Sequence, residues 1–236
     1  MKLSVLIPVY NEANTILEVV KQVQSVDIDK EIILVDDFST DGTRELLKKS
    51  FDISNDKIKV CYHNKNLGKG AAIRTALDKA RGEYSIIQDA DLEYNPWDYK
   101  VLLKVAEEKD ADVVYGSRFL KTWRVTSFWH FMVNKFLTVL TNALFGSNLT
   151  DMETCYKLLK TDLFKSLEME SHRFEIEPEI TAKLLKKGCP IPEVPVSYKG
   201  RSYHDGKKIC WKDGVEAVFV LLKYRFKDSR GWVPQP

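Results

Sequence analysis

The chain has 236 residues, of which 44% are hydrophobic and 30% charged, so it can bury a full globular core near the upper end of single-domain size. Its 36 Lys and Arg against 34 Asp and Glu give a formal net charge of +2. This balance excludes the strong positive charge of general polyanion binders, and we expect no nucleic-acid partner. Basic residues are concentrated late in the chain, where residues 183–212 carry eight Lys or Arg against two acidic residues.

The cysteines and the N-terminal stretch indicate a cytosolic protein. The cysteines are widely spaced and form neither a CxxC pair nor a Cys/His cluster, which predicts reduced thiols at Cys61, Cys155, Cys189 and Cys210. The apolar stretch at residues 3–9 is too short for a signal-peptide core and ends in Pro and polar residues. We therefore expect the chain to start in the cytosol with a buried strand.

The first half of the chain alternates apolar strands with amphipathic helices. Strands are predicted at 3–9, 31–35, 57–62, 83–88 and 111–116, and helices at 13–26, 41–50, 68–80 and 97–108. This alternation predicts an α/β fold with a mostly parallel sheet that is covered by helices on both faces.

The pattern changes after Arg118. A helix is predicted at 126–145, with a broad apolar face rich in aromatic residues and a narrow polar stripe formed by Ser127, His130, Asn134, Thr138 and Thr141. Two more helices at 175–187 and 213–226 flank a Pro-punctuated strand at 190–198. The tail, 227–236, is expected to be disordered.

Acidic residues follow three of the predicted strands. The first strand is followed by Glu12, the second by Asp36 and Asp37, and the fourth by Asp89 and Asp91. Ligands of open parallel sheets bind at the carboxyl ends of the strands. Each cluster alone is more simply explained as a helix cap, but three on one edge favour a shared polar ligand.

The Asp89-Ala90-Asp91 triplet is the most informative of these clusters. Two carboxylates two residues apart at a strand end point to the same side. Aspartate oxygens are ligands that Mg²⁺ and Mn²⁺ accept while sharing the rest of their shell with phosphate oxygens. The triplet therefore favours a divalent metal site.

Two further features indicate phosphate binding. Residues 66–70, Asn-Leu-Gly-Lys-Gly, open a helix, so backbone amides could face an anion beside Lys69, although glycines that permit tight packing explain the segment equally well. The segment lacks P-loop spacing and the chain has no GxGxxG, which disfavours an ATPase or a dinucleotide-binding protein. Arg118, Arg201 and Lys208 are surface charges unless they face the same sheet edge, where they would bind phosphates.

These motifs together resemble one enzyme family. IPVYNE, VDDFSTDGT, NKNLGKGAA, QDADLEY, GSRF and GRSYHDGKKI occur in the order and spacing of the family-2 inverting glycosyltransferases with the GT-A fold. Within the family, the set most resembles the dolichyl- or polyprenyl-phosphate hexosyltransferases of the dolichol-phosphate mannose synthase type. The resemblance covers about the whole chain to Phe226.

The resemblance implies one GT-A domain at 1–226, with a nucleotide-binding half at 1–118 and an acceptor-binding half at 119–226. It implies nucleoside contacts from Pro8, Tyr10, Glu12, Val35 and Asp37, with Lys69 also at the donor. It implies metal and diphosphate contacts from Asp89, Ala90 and Asp91, and phosphate contacts from Arg118, Arg201 and Lys208.

Three positions depart from the mannosyl members. Glu93 stands where Gln is common and would add a metal ligand. Glu175 stands where a basic residue can occur, and Cys155 stands where Gly is usual in the strand after Asp151. These departures bear on the identity of the donor more than on the reaction class.

The implied reaction is a Mg²⁺- or Mn²⁺-dependent inverting transfer of a hexose from GDP-mannose or a UDP-sugar to a polyprenyl or dolichyl phosphate. A phosphate, whose second pKa is ~6, needs no general base. A glycan hydroxyl is the alternative acceptor and would need a carboxylate base such as Glu177, Glu179 or Asp151. In another class, a sugar-nucleotide pyrophosphorylase would show a Gly-rich, Arg-containing loop after the first strand, and a simple nucleotide-binding module would not need Asp89 and Asp91.

The helix at 126–145 also indicates how the protein meets a membrane. Lys135 lies in mid-segment near Asn134 and Asn142, which disfavours a membrane span. A broad aromatic face with cationic margins is typical of an interfacial helix. We expect a peripheral enzyme at the cytoplasmic face of a membrane; packing on the sheet, a homo-oligomer or a membrane-anchored partner would also cover this face.

Overall fold

The computed structural model describes residues 1–51, 56–120, 128–200 and 211–227. Seven strands in these ranges form one sheet: β1 (Leu3–Val9), β2 (Lys30–Asp36), β3 (Ile58–Tyr62), β4 (Tyr84–Ile87), β5 (Val113–Ser117), β6 (Lys157–Lys160) and β7 (Glu193–Pro195). Their order across the sheet is β3-β2-β1-β4-β6-β5-β7, and β6 alone of the seven runs antiparallel to its neighbours. The predicted mostly parallel α/β sheet is confirmed.

The helices of the described ranges are α1 (Ile16–Ser25), α2 (Thr43–Ser50), α3 (Lys69–Lys79), α4 (Tyr99–Glu108), α5 (Phe128–Phe145), α6 (Thr161–Ser166), α7 (Ile176–Lys186) and α8 (Trp211–Phe226). Each predicted helix is present, and α6 was not predicted. Of the strand predicted at 190–198, Glu193–Pro195 forms a ladder with β5, and Tyr198 makes an isolated antiparallel bridge to Tyr94. Prolines at 190, 192 and 195 cannot donate backbone hydrogen bonds, which limits the length of the ladder. The predicted tail, apart from Lys227, lies outside the described residues.

The parallel strands bring their carboxyl ends to one edge of the sheet. In the register of β1 and β2, Val9 lies opposite Asp36, and Leu6 of β1 lies opposite Ile87 of β4. The loops that follow β1, β2 and β4 therefore lie on the same side of the sheet, where ligands of such sheets bind.

The antiparallel direction of β6 adds a fourth segment to this edge. Lys160 at the end of β6 pairs with Tyr84 at the start of β4, and Lys157 pairs with Tyr115 of β5. Residues just before Lys157 therefore reach the carboxyl ends of β4 and β5. Cys155, expected in a strand, lies in this entering segment, two residues before the ladder begins.

The polar stripe of a surface helix is expected to face solvent, but two residues of the stripe predicted on α5 face the protein interior. Thr138 and Thr141 are buried; the Thr141 hydroxyl donates to the Leu137 carbonyl at 2.8 Å, and Thr138 Oγ1 accepts from a backbone N–H. The exposed stripe is apolar instead, because Met132, Val133, Phe136 and Val139 are 45–64% exposed. These four side chains are therefore partly exposed to solvent.

Helix α8 lies beside α5 and α7 and shows a similar exposed stripe. Val215, Phe219 and Phe226 are 45–76% exposed, whereas Leu221 and Tyr224 are buried in a second, smaller hydrophobic cluster. No helix in the described part of the chain combines the length and apolarity needed to cross a membrane. We call the exposed residues Met132, Val133, Phe136, Val139, Val215, Phe219 and Phe226 the apolar face.

The contact between α7 and α8 gives a test of this packing. The Tyr224 hydroxyl lies 2.7 Å from Oε1 of Glu179, whose carboxylate is fully buried. We expect Tyr224→Phe to lower the free energy of unfolding by about 1–2 kcal/mol, because one hydrogen bond to a buried charge is lost. Chemical denaturation measures the difference. Phe219→Ser, at an exposed position of the same helix, should change it by no more than about 0.5 kcal/mol, and equal losses in both variants would contradict this packing.

Candidate active site

The loops that follow β1 and β4 are joined by one threonine. The Thr15 hydroxyl lies 2.8 Å from Glu12 Oε2 and 2.7 Å from the Ala90 carbonyl oxygen. Pro8 of β1 lies opposite Val35 of β2 in the sheet. The structure thus brings Pro8, Glu12, Val35 and Ala90 to one edge, as the sequence predicts, and Thr15 was not predicted.

Asp37 is buried and its carboxylate binds the start of α3. Its two oxygens accept the backbone N–H groups of Leu67 and Gly68 at 2.8 and 2.7 Å, and Nδ1 of His63 lies 2.7 Å from Oδ1. Two of the amides that the sequence offers to an anion therefore bind Asp37 itself. His63 Nε2 is in turn 2.9 Å from the Thr75 hydroxyl, which fixes the imidazole.

The glycines at the start of α3 permit close backbone packing. A Cβ atom at Gly68 would collide with the carbonyl oxygen of His172, and one at Gly70 with that of Ser171. Gly68 also has a φ of +93°, which favours glycine. Of the two interpretations of this segment, tight packing is the one that the structure shows.

Four side chains, two of them buried and two partly buried, form a chain of alternating charge between the sheet and α7. Lys157 Nζ lies 2.7 Å from Glu177 Oε2, Glu177 Oε1 lies 3.2 Å from Lys69 Nζ, and Lys69 Nζ lies 2.7 Å from Asp89 Oδ1. Lys157 is fully buried and Glu177 is 4% exposed. We call Lys157, Glu177, Lys69 and Asp89 the charge chain; it links β6, α7, α3 and the end of β4.

The charge chain keeps Lys69 protonated. Burial alone would lower the pKa of Lys69, but the nearby Asp89 carboxylate, with support from Glu177, raises it well above its ordinary value. Burial, together with the charge of Asp89, also raises the pKa of the Cys155 thiol, so this cysteine stays neutral. Cys61, Cys155 and Cys189 are free thiols.

Asp91 and Glu93 belong to one turn that is attached to the segment after β7. The Glu93 N–H donates to Asp91 Oδ1 at 3.1 Å, and the Tyr198 hydroxyl donates to Glu93 Oε2 at 2.7 Å. The Lys199 N–H donates to the Glu93 carbonyl at 2.8 Å. Arg201 and Lys208, which follow in the sequence, lie outside the described residues.

The carboxylates after β4 suit a metal that is shared with a substrate. Within the described ranges, no group of three or more His, Cys, Asp or Glu side chains is arranged to hold a metal ion, so Asp89, Asp91 and Glu93 do not form a three-carboxylate cage. Mg²⁺ usually binds through one or two carboxylates plus substrate phosphates. Asp89 and Asp91 fit that donor set, whereas one oxygen of Glu93 already binds Tyr198.

Arg118 is held at the same edge by Asp151. Its Nε and Nη2 atoms lie 2.7 Å from the two Asp151 oxygens, and the guanidinium carbon lies 5.2 Å from the centre of the Tyr198 ring. Burial opposes the charge of Arg118, but Asp151 outweighs this and raises its pKa well above the ordinary value. Tyr198 therefore contacts both the Arg118 side and the Glu93 side of the edge.

Two of the three carboxylates considered as bases are fully occupied. Glu179 accepts the N–H groups of Glu170 and Ser171 and pairs with Lys183 at 2.7 Å; burial opposes its charge, but these donors lower its pKa. Asp151 accepts two side-chain bonds and the backbone N–H of Arg118. Glu177, the third, lies between two lysines in the charge chain.

Glu153 is a polar group at this edge that the sequence analysis missed. Its Oε1 atom is buried and has no hydrogen-bond partner among the described residues. Burial raises the pKa of Glu153 to about 7, with Lys157 opposing the rise and Glu177 adding to it. The spacing Asp151-Met152-Glu153, two acidic residues two positions apart beside a strand, repeats the pattern of Asp89 and Asp91 and was the available signal.

The fold and this edge define a GT-A glycosyltransferase, in which a mostly parallel sheet presents an Asp-x-Asp turn at its carboxyl edge. The model of glycosyl transferase family 2 matches residues 4–168, and the chain belongs to that family. It is therefore a family-2 glycosyltransferase.

Curated relatives extend over most of the chain. An uncharacterized protein of Methanocaldococcus jannaschii is 28% identical over 94% of this chain and 98% of its own. The dolichol-phosphate mannosyltransferase of Pyrococcus furiosus is 28% identical over 98% of this chain, and the undecaprenyl-phosphate 4-deoxy-4-formamido-L-arabinose transferase of Proteus mirabilis is 26% identical over 87%. The matches span 66% and 62% of those two transferases.

Solved structures share the fold. Glucosyl-3-phosphoglycerate synthase of Mycobacterium tuberculosis, determined with Mn²⁺, UDP and phosphoglyceric acid, superposes with a TM-score of 0.72 at 19% identity and covers 95% of this chain and 78% of its own. TarS of S. aureus in complex with UDP gives a TM-score of 0.60 at 22% identity and covers 98% of this chain and 73% of its own.

The partly buried carboxyl of Glu153 predicts a pH dependence of stability. Because the folded state holds its pKa at about 7 against an ordinary 4.5, protonated Glu153 favours folding. This contribution is complete below about pH 4.5 and is lost as the pH rises through 7. Glu153→Gln, which stays neutral, should therefore raise the melting temperature over wild type at pH 8 more than at pH 5. Glu108→Gln, at an exposed position, is the control; the same pH trend in both variants would contradict the assignment.

Proposed function

We propose that the enzyme transfers a hexose, with inversion, from a nucleotide-diphosphate sugar to a polyprenyl or dolichyl phosphate. The observation that carries this proposal is the meeting of Asp89, Asp91 and Arg118 at one sheet edge of a protein that also exposes the apolar face. Two relatives named for dolichol phosphate and undecaprenyl phosphate support the acceptor class. The whole chain to Phe226 would serve as one domain, with donor binding in 1–118 and acceptor binding in 119–226.

The donor would bind across the ends of β1, β2 and β4. Pro8, Tyr10 and Glu12 would contact the nucleoside together with Val35 and Asp37. Val35 and Asp37 are buried, so they would act mainly by shaping the pocket floor and by fixing the loop at residues 67–68. Whether the base is guanine or uracil, and which hexose is carried, stays open.

Asp89 and Asp91, with Ala90 between them, would hold Mg²⁺ or Mn²⁺ and the donor diphosphate, and Glu93 would support that turn. When bound, the ion supplies positive charge for the departing nucleoside diphosphate. Lys69, already 2.7 Å from Asp89, would add a fixed positive charge beside the diphosphate. The M. tuberculosis synthase structure, which contains Mn²⁺ and UDP, supports a divalent ion here.

The acceptor phosphate would lie on the Arg118 side of the edge. Asp151 uses Nε and Nη2 of Arg118, so the guanidinium is fixed in orientation while its Nη1 group is not used by this pair. Arg201 and Lys208 would add phosphate contacts from the segment that follows Tyr198. A phosphate dianion attacks without a general base, so the residues need only hold the reactants in line.

A glycan hydroxyl is the second candidate acceptor. It would need a base, and Glu179 and Asp151 are occupied by donors, while Glu177 is paired with two lysines. A pyrophosphorylase and a non-catalytic nucleotide-binding module lose their support once the chain is placed in family 2.

The apolar face would place the enzyme on the cytoplasmic leaflet of a membrane. Met132, Phe136 and Val139 follow each other at four- and three-residue intervals on α5, and Val215 and Phe219 continue the exposed surface on α8. Such a face embeds in the headgroup region without spanning it. A lipid phosphate keeps its tail in the bilayer, so the catalytic edge must reach the membrane surface.

Loss of the metal-binding carboxylates tests the reaction. Asp89→Ala and Asp91→Ala should each reduce transfer on the order of a thousandfold, because stabilisation of the leaving diphosphate is lost. The assay supplies labelled GDP-mannose or UDP-sugars with and without polyprenyl phosphate and follows release of nucleoside diphosphate. Asp78→Ala, an exposed aspartate on α3, is the control, and full activity of wild type in EDTA would refute the metal.

Liposome co-sedimentation tests the membrane surface. Wild type should sediment with vesicles that contain anionic lipid. The double variant Phe136→Ser/Phe219→Ser should bind several-fold less, because buried apolar area drives interfacial binding. Leu17→Ser removes an exposed apolar side chain from α1 and should leave binding unchanged. Sedimentation equilibrium of the same variants tests the alternative that the apolar face is a protein–protein interface. That alternative is supported if wild type is an oligomer that does not bind vesicles and the double variant is a monomer.

A further inference from the structure

Glu153 lies between the metal-binding turn and Arg118. The segment that enters β6 lies against β4 on one side, where the Cys155 N–H donates to the Tyr94 hydroxyl at 3.0 Å and the Cys155 thiol contacts the Ile87 carbonyl at 3.5 Å. On the other side the Thr154 hydroxyl donates to the Gly116 carbonyl at 2.5 Å. Glu153 therefore stands at the carboxyl edge, in the region assigned above to the acceptor phosphate.

The backbone around Glu153 is fixed on both sides while its carboxyl is not. Lys157 Nζ donates to the carbonyl of Met152 at 3.0 Å and also to that of Thr154. Asp151, two residues earlier, is held by Arg118. The residue retains some solvent access, yet Oε1 is buried without a partner in the described part of the chain. A buried oxygen left without a partner in such a fixed segment is costly unless a ligand supplies the partner.

The charged side chains that act on Glu153 in the described part of the chain are already paired with one another. Lys157 is paired with Glu177, and Arg118 is paired with Asp151; the other half of the charge chain, Lys69 and Asp89, is balanced too. An ionised Glu153 would add a negative charge beside pairs that are already balanced. It would also repel any phosphate bound beside Arg118.

We propose that Glu153 binds the acceptor phosphate as a neutral carboxylic acid, donating its proton in a hydrogen bond to a phosphate oxygen. The proposal rests on the proposed function, since it requires a phosphate monoester as acceptor. The proton stays on Glu153, so the phosphate remains a dianion and attacks the anomeric carbon through another oxygen. Glu153 is thus an acceptor-specificity residue, because an ionised carboxylate would reject the dianion and a neutral acid accepts it.

The ionisation of Glu153 gives the proposal a characteristic pH dependence. Burial raises its pKa to about 7, while Lys157 and Arg118 lower it and Glu177 and Asp151 raise it further. Above pH 7 the free enzyme loses the proton and acceptor binding weakens. Glutamine keeps an N–H donor at every pH, so Glu153→Gln imitates the neutral acid and Glu153→Ala removes the donor.

The test uses geranyl phosphate, a short isoprenyl phosphate, with the donor that the wild type accepts, and measures kcat and KM at pH 6.5 and 8.5. At pH 6.5, Glu153→Gln should keep its KM near that of wild type, and Glu153→Ala should raise it about tenfold or more, the loss of a hydrogen bond to a charged group. Between pH 6.5 and 8.5, the wild-type KM should rise up to about 25-fold, as expected for a group of pKa about 7 that must be protonated. The KM of Glu153→Gln should stay level, and Glu108→Gln should follow wild type.

The outcomes separate this inference from the proposed function. If wild type transfers no sugar to any isoprenyl phosphate, the proposed function fails and the role of Glu153 fails with it. If wild type transfers sugar but Glu153→Gln is inactive at both pH values, Glu153 acts as a base and the inference is wrong. It is also wrong if Glu153→Gln shows the same alkaline rise in KM as wild type. Calorimetry with geranyl phosphate in the absence of donor must show the same order at pH 6.5: wild type and Glu153→Gln bind with similar affinity, and Glu153→Ala binds more weakly.

Discussion

The candidate site depends on the charge chain that runs from Lys157 through Glu177 and Lys69 to Asp89. Burying any one of these ions alone would cost several kcal/mol, so each requires its neighbours. Lys157 uses all three of its donors inside the protein, on two backbone carbonyls and Glu177. The chain thereby fixes α7, α3, the entry to β6 and the end of β4 relative to one another, and the position of the carboxylate of Asp89 follows from this arrangement.

This arrangement also sets the conditions for the proposed binding of metal and donor. Asp89 has the Lys69 ammonium 2.7 Å from one oxygen, so an incoming divalent ion shares a carboxylate that is already neutralised. The repulsion between a metal and a lysine is offset once the donor diphosphate brings its own negative charge. Metal and donor should therefore bind more strongly together than separately, and the donor set of only two aspartates is consistent with that coupling.

The sequence predicted what depends on local pattern and missed what depends on tertiary contacts. Apolar strands and the acidic residues after them placed Glu12, Asp37 and Asp89 at one edge, because parallel strands share a direction. The sequence left open whether the start of α3 binds an anion or packs tightly; in the structure the Leu67 amide binds the Asp37 carboxylate, 30 residues away in sequence. Nothing in the composition of β6 indicates that Lys157 will meet Glu177, since their pairing follows from the antiparallel insertion of that strand.

Helix α7 connects the candidate site to the apolar face. Glu177 and Glu179 are two residues apart and so point about 200° apart around the helix. Glu177 faces the charge chain, and Glu179 binds Tyr224 of α8, the helix that carries Phe219. Both carboxylates are buried and paired, so α7 cannot rotate about its axis without breaking one set of contacts. The exposed apolar residues of α8 are therefore held at a fixed distance from Asp89, as the proposed membrane-borne acceptor would require.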